Sequence, residues 1–177
     1  ERSSAAPGPS RWASPSPLVK LRESDPGFSL VLFEDFAYAL FARAHGARHS
    51  EAALAGLSPY LEQGARTLLR ARPPVGAPVR AAVVGSLRVA HEQFDTVRAK
   101  VGLVFEANLV VAAPGGDVTH YVRERWYLSR PLSARTRPWK GIRTFGCPAC
   151  GSPLGTGASN LCASCGQAVD DGKFDWK

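Results

Sequence analysis

The sequence predicts an α+β fold in which helices pack on an antiparallel sheet, followed by a small zinc ribbon. Apolar residues recur at helical spacing through the first half of the 177 residues and alternate with period two through the second half. Two C-x-x-C pairs stand near the C-terminus. Helices that precede a run of antiparallel strands are typical of the α+β class. We therefore expect a flexible linker at 1–23, an α+β domain at 24–141 and a zinc ribbon at 142–177.

The linker is predicted from a segment rich in serine, proline and alanine at 1–17, a composition that does not join a packed core. The chain begins at Glu1 and contains no methionine, so we expect it to be a piece of a longer protein. It has no apolar run of the length that crosses a bilayer. A membrane anchor is therefore expected in sequence that lies upstream of this chain.

Three helices are predicted after the linker. Ser24–Pro26 joins a capping side chain to a proline and predicts the start of a helix over 28–44. Serine residues likewise predict helices over 50–56 and 58–70. The apolar stripe of the first helix comprises Phe33, Phe36, Ala37, Leu40, Phe41 and Ala44. The apolar residues predicted to face inward from the last helix are Tyr60, Leu61, Ala65, Leu68 and Leu69.

The first of these helices carries apolar residues beyond its stripe, which leaves two interpretations open. One is a helix buried on most of its surface. The other is a helix that inserts into a membrane or grips a protein partner, with Phe28, Leu32 and Phe33 as contact residues.

Three strands are predicted in the second half of the domain. Apolar residues alternate in the first, at Val79, Ala81, Val83, Leu87 and Val89. They alternate without interruption in the second, at Val97, Ala99, Val101, Leu103, Phe105, Ala107, Leu109 and Val111. A glycine-rich turn at 114–117 precedes the third. One face of that strand is predicted to carry Val118, Val122, Trp126 and Leu128, and the other Tyr121, Arg123, Arg125 and Tyr127.

The two C-x-x-C pairs predict a metal site. Each pair brings two sulfurs within reach of one ion, and two pairs complete a tetrahedron. The alternative is two disulfides. With all four positions filled by thiolates, Zn²⁺ in such a site is structural, and no position is open for water. The predicted ligands are Cys147, Cys150, Cys162 and Cys165. A hairpin that reverses at Asp171–Gly172 is expected to complete the ribbon.

Several of these motifs together resemble a known family. The pattern D-P-G-F-S-x-x-x-F-x-x-F-A at 25–37 and the strand end E-R-W-Y-L-S-R at 124–130 are similar to the Tim forty-four-like domain. The resemblance implies a nuclear-transport-factor-two-like cone, in which a curved antiparallel sheet wraps the helices. The segment R-x-R-P-W-K-G-I-R-T-F-G-C-P-A-C-G at 135–151 resembles a bacterial branch. That branch implies a tethering domain on the cytoplasmic face of a membrane.

A basic, aromatic region follows the third strand. No acidic residue occurs between Arg125 and Val169, and the net charge of the chain is +7. Such a region attracts the phosphates of lipid head groups or of nucleic acids, although a solvated surface would look the same. With the resemblance, we predict contact with an anionic membrane or a protein partner, and nucleic acid as the alternative. The predicted contact residues are Arg123, Arg125, Arg130, Arg135, Arg137, Trp139, Lys140 and Arg143.

A third hypothesis is a small-molecule enzyme that uses a pocket in the cone. His120 and Glu124 share one face of the third strand, and His91 ends the first, so that these side chains could move protons. Each is explained more simply by an edge residue bonded to a neighbour. The sequence contains no nucleophile motif and no phosphate-binding loop. We therefore predict a binding domain that is not an enzyme.

Overall fold

The computed structural model of the chain describes residues 18–136, 145–154 and 160–177. Within these ranges, four helices precede a three-stranded antiparallel sheet of order β1-β2-β3. The α+β prediction is confirmed. The helices are α1 (Val19–Ser24), α2 (Leu30–Ala47), α3 (Glu51–Ala55) and α4 (Gln63–Ala71), and the strands are β1 (Val79–Phe94), β2 (Arg98–Val111) and β3 (Val118–Pro131).

The N-terminal boundary of the domain differs from the prediction. Leu18 and Leu21 are fully buried in the core, so the folded domain begins by residue 18 and the linker boundary at residue 23 was wrong. Residues 1–17 of the predicted linker lie outside the described ranges. The predicted helix start at Asp25 was also wrong. Ser29 is the cap of α2, because its hydroxyl accepts the backbone N–H of Leu32 at 3.4 Å.

Helix α2 supplies the centre of the core. The predicted stripe is confirmed, since all its members are buried except Phe36, which is partly buried against the same cluster. The ring of Phe41 stacks on that of Phe105 in β2 with centroids 4.5 Å apart. Burying one such side chain contributes roughly 1.5–3 kcal/mol. The stripe therefore fixes α2 against the inner face of the sheet.

The two short helices follow the prediction in part. Ser50 caps α3 as expected, by accepting the N–H of Ala53 at 3.2 Å. Helix α4 begins at Gln63 rather than at Ser58. Tyr60 and Leu61 are buried ahead of this helix rather than within it. Leu69 is buried, whereas Leu68, which was predicted to face inward, is 70% exposed.

The central strand of the sheet confirms its predicted pattern from Ala99 onward, since the odd-numbered residues of β2 are buried. Val97 lies in the preceding turn and is exposed. In β1 the register against β2 shifts three times, and each shift moves the alternation to the other face. Ala82 and Val84 therefore pack against the core, whereas Ala81 and Val83, which continue the predicted alternation, are exposed.

The C-terminal segment returns to the main domain. Beyond the second cysteine pair, Trp176 is buried with its ring 4.7 Å from that of Phe33. Lys177 and Ser129 of β3 exchange two backbone hydrogen bonds of 2.9 and 2.8 Å. The hairpin predicted at Asp171–Gly172 is absent from the described ranges. There the segment has a single isolated bridge between Leu161 and Ala168.

Candidate functional site

The four cysteines form one cluster. Their sulfurs all lie within 4.8 Å of one another. The Sγ atoms of Cys147 and Cys165, and those of Cys150 and Cys162, are 3.8 Å apart. A disulfide requires about 2.05 Å, so the alternative of two disulfides is wrong, and all four thiols are free. Four thiolates about 2.3 Å from a tetrahedral ion are separated by about 3.8 Å. The cluster can therefore hold a metal ion.

Two similar turns aim the sulfurs at one point. In the first turn, the N–H of Gly151 donates to the carbonyl of Cys147 at 2.8 Å, and in the second, Gly166 donates to Cys162 at 2.8 Å. The φ angles of these glycines are 80° and 69°, a left-handed conformation that other residues adopt only with strain. The glycine that follows each C-x-x-C pair therefore closes the turn.

Hydrogen bonds within the turns favour thiolates. The side chain and backbone of Ser152 lower the pKa of Cys150 to about 6. Backbone N–H groups of Cys165 and Ser164 also lower the pKa of Cys162. The N–H of Gln167 favours the thiolate of Cys165, but burial and the neighbouring sulfurs outweigh it and raise that pKa to about 12. A divalent cation would relieve this accumulation of negative charge and displace the remaining protons.

The cluster is docked on the helical layer through the residues just before it. The ring of Phe145 lies 5.8 Å from that of Phe36 in α2 and 5.4 Å from that of Tyr60. The guanidinium of Arg43 lies 4.4 Å above the ring of Phe145. Tyr60 also donates its hydroxyl hydrogen to the carbonyl of Gly146. The cysteine cluster therefore contacts α2 through the residues that immediately precede it.

The predicted apolar contact residues do not form an exposed patch. Phe28 and Phe33 are buried around Trp176, so the prediction that they touch a membrane or a partner was wrong. Leu32 is 40% exposed and remains available. Helix α2 is buried along one stripe, while Val31 and Tyr38 are exposed beside Leu32.

Arg130 is likewise unavailable for contact with a membrane. Its Nη2 donates to the Asp25 carboxylate at 2.6 Å, and both side chains are 3% exposed. Thr136 donates its N–H and its hydroxyl to the same oxygen, at 3.0 and 2.7 Å. Burial raises the pKa of Asp25, but the bonds from Thr136 and Arg130 outweigh it and hold that pKa below its usual value. Arg130 therefore stabilises the junction between α1 and β3.

The remaining basic candidates fall into three groups. Arg123 and Arg125 are exposed on the outer face of the sheet. Arg135 is exposed beyond β3, where it donates to the carbonyls of Leu132 and Ala134. The other predicted contact residues lie outside the described ranges, namely Arg137, Trp139, Lys140 and Arg143.

The outer face of the sheet also carries exposed aromatic rings. Tyr121 is 65% exposed and Tyr127 is 50% exposed. The ring of Tyr127 lies across Gly102, where a Cβ atom would come within 3.1 Å of it. Nζ of Lys100 lies 5.0 Å from the centre of the same ring. Glu106 also lies on this face, and its carboxylate is 3.5 Å from Nε of Arg123. This face therefore combines cations with accessible aromatic surface.

The structure brings two of the three predicted acid–base residues to one cavity and places the third elsewhere. Glu124 is buried, and its carboxylate accepts Nε1–H of Trp126 at 2.8 Å and contacts Arg72 at 2.8 Å. His120 is exposed and lines the same cavity of about 170 Å³ as Glu124. His91 lies on the outer face, away from both. The three residues do not form one site.

The partner of Glu124 is a histidine that the sequence analysis missed. Nε2 of His45, in the last turn of α2, lies 3.3 Å from the Glu124 carboxylate. Burial raises the pKa of Glu124, but the hydrogen bond and charge of His45, with Trp126, keep it below its usual value. His45 is fully buried, so this pair is enclosed in the core. Its position four residues after Phe41 on the buried stripe was the signal that could have identified it.

A groove separates α4 from the edge strand β3. Its volume is about 550 Å³, within the usual range of ligand pockets. The floor includes Trp126 and Leu128 of β3, and the opposite wall includes the exposed Leu68 of α4.

In the part of the chain that the structure describes, no helix has both the length and the apolarity to cross a membrane. Comparisons of the chain with families of proteins, with curated proteins and with solved structures found no match.

Proposed function

We propose that this chain is a non-catalytic binding and tethering domain with a structural zinc site. A Tim forty-four-like cone, held to the cytoplasmic face of a membrane by an anchor outside this chain, is part of the proposal. The packing of α2 against one face of an antiparallel sheet supports the cone. The basic outer face of that sheet is the observation on which the binding function depends.

Zinc is the metal that the four sulfurs favour. Thiolate ligands select zinc over magnesium or calcium, and four protein ligands leave no open position for a reacting water. The segment that carries them has no described helix or strand of its own. Small segments of this kind depend on a metal in place of a hydrophobic core.

Metal analysis of the purified protein tests the zinc assignment. We expect one zinc per chain, and loss of most of it in Cys150→Ser, because three thiolates hold the ion less tightly than four. Ser164→Ala changes a neighbouring side chain that is not a ligand and is expected to retain the zinc. Iron at the site, or zinc content unchanged by Cys150→Ser, would contradict the assignment.

The outer face supports binding to anionic lipid. Arg88, Lys100 and Arg125 are exposed there and have no acidic partner in the described ranges. Each basic side chain near an anionic membrane contributes about 1 kcal/mol. Three of them therefore supply about 3 kcal/mol, roughly a hundredfold preference for anionic over neutral lipid. Tyrosine rings such as Tyr121 also favour the membrane–water interface.

Vesicle sedimentation tests this function. Vesicles that contain phosphatidylserine are expected to bind the protein at low salt and to release it as salt rises, and neutral vesicles are not expected to bind. Arg125→Glu should weaken binding several-fold more than Arg22→Glu, which makes the same charge change on α1. Equal binding to neutral vesicles would refute the proposal.

Nucleic acid is the second candidate, because Tyr121 and Tyr127 lie among cations on an open sheet face. Bases of single-stranded nucleic acids stack on rings arranged in this way. Binding of a single-stranded oligonucleotide that Tyr127→Ala abolishes, without binding to anionic vesicles, would replace the membrane proposal.

A further inference from the structure

Arg48 is a buried cation that has no acidic residue within ion-pair distance in the described ranges. It directly follows the last turn of α2, and only 4% of its surface is exposed. Its Nη2 donates to the carbonyl of Pro73 at 3.4 Å, whereas its Nε is buried and has no hydrogen-bonding partner among the described residues. Burial lowers the pKa of Arg48 below its ordinary value, although Glu124 acts in the opposite direction. Buried charges are ordinarily paired, so Arg48 lacks the counterion that such a group requires.

Arg48 lines the cavity of about 170 Å³ that lies under the inner face of the sheet. Arg72 contributes a second guanidinium to the same cavity, and its Nη1 lies 2.8 Å from the carboxylate of Glu124. That carboxylate also accepts a hydrogen bond from Trp126 and contacts His45. The lining therefore combines two guanidinium groups with one carboxylate that already has three partners. One positive charge remains to be balanced.

The other walls of this cavity are largely apolar. Leu109 and Val111 of β2 line it together with Val122 of β3 and Pro73. An apolar cavity of about 150 Å³ accommodates a benzene molecule, so this cavity suits an apolar body of about that size. Apolar walls cannot replace the hydration shell of an inorganic ion. The cavity therefore favours an anion that carries an apolar body over a phosphate or sulfate ion.

We propose that this cavity binds a small organic acid whose carboxylate pairs with Arg48 and whose apolar body lies against Val111 and Val122. A guanidinium is the side-chain group best suited to hold a carboxylate in a buried site, because its planar N–H groups match the two oxygens. The ligand supplies the negative charge that Arg48 lacks. The cavity lies on the inner side of the sheet, so this proposal is independent of lipid binding at the outer face.

The probe is benzoate, titrated into the zinc-loaded protein by calorimetry without vesicles. Benzamide is the matched ligand, because it has the same shape and no charge. We expect benzamide to bind at least about tenfold more weakly than benzoate, since hydrogen bonds to a charged group are the stronger ones. Sulfate at the same concentration is not expected to displace benzoate. Equal affinity for the two probes, displacement by sulfate, or no binding of benzoate would overturn the proposal.

Two protein variants locate the ligand. Arg48→Met removes the charge and keeps an apolar side chain, a change that buried ionic sites often tolerate, and it should weaken benzoate binding at least about tenfold. Arg22→Met removes an exposed arginine from α1 and should leave that binding unchanged. Val122→Phe narrows the cavity from the sheet side without removing a charge, so it tests the site even if Arg48→Met does not fold. Benzoate binding that is unchanged in either cavity variant would refute the proposal.

Discussion

The buried pair between Asp25 and Arg130 gives the sharpest stability prediction. Both side chains are 3% exposed, and the carboxylate also accepts two hydrogen bonds from Thr136. Asp25→Ala removes the countercharge and leaves the guanidinium buried without an acidic partner. Breaking a buried pair in this way costs about 3–5 kcal/mol. That is a large part of the roughly 5–15 kcal/mol by which domains are stable.

Urea denaturation of the zinc-loaded protein, followed by circular dichroism, measures the loss of unfolding free energy. Thermal denaturation measures the accompanying change in melting temperature. In a domain of this size, each kcal/mol shifts the melting temperature by about 2–4 °C, so the melting temperature should fall by about 6–20 °C. Asp35→Ala is the matched control, because Asp35 is exposed on α2. We expect that change to stay within about 0.5 kcal/mol.

A double variant separates the charge from the packing. Asp25→Ala with Arg130→Met removes both charges and keeps an apolar side chain near the rings of Phe28 and Trp176. Replacing both members of a buried pair is often neutral or stabilising. We therefore expect the double variant to be more stable than Asp25→Ala. A loss below about 1 kcal/mol in Asp25→Ala, or a double variant less stable than the single one, would refute the reasoning.

Three further predictions concern acid, the metal turn and the C-terminal segment. Because the pKa values of Asp25 and Glu124 are lowered in the folded state, their contribution is complete above the unfolded pKa and is lost as the pH falls through the folded pKa. Urea midpoints should fall below about pH 5, less steeply in Asp25→Asn, and equal slopes would contradict this. Gly146→Ala should reduce zinc content, since a Cβ atom would lie 2.5 Å from the carbonyl oxygen of Gly151, and unchanged content by metal analysis would exclude that clash. Trp176→Ala should cost about 3–5 kcal/mol by urea denaturation because it empties a core position, and a loss near zero would remove the C-terminal segment from the core.

Local patterns in the sequence predicted the elements whose environment is regular. The uninterrupted alternation from Ala99 to Val111 identified β2 because one face of a central strand is buried along its length. The stripe beginning at Phe33 identified α2 for the equivalent helical reason. The two C-x-x-C pairs located the cysteine cluster, since each pair is a local turn and needs no knowledge of the rest of the fold.

Contacts distant in the sequence could not be predicted in this way. Asp25 resembles a helix cap, but Arg130 and Thr136 approach it from the far end of the sheet and bind its carboxylate instead. The phase of β1 depends on three register shifts that are set by pairing with β2. The sequence places Arg130 among other arginines, which predicted a surface position. Its burial depends on Trp176, which lies beyond the two cysteine pairs in the sequence.

The closure of the core by Trp176 has a consequence for biosynthesis. Asp25 contacts Arg130, 105 residues later in the sequence, and Thr136, 111 residues later. Phe28 and Phe33 pack on Trp176, which is synthesised after both cysteine pairs. During translation, chains fold as their contacting segments leave the ribosome. A nascent chain of this protein can form α2 and the β1–β2 hairpin early. Asp25 then lacks its partners until β3 and Thr136 have been made, and the rings of Phe28 and Phe33 lack Trp176 until the cysteine segment has also been made.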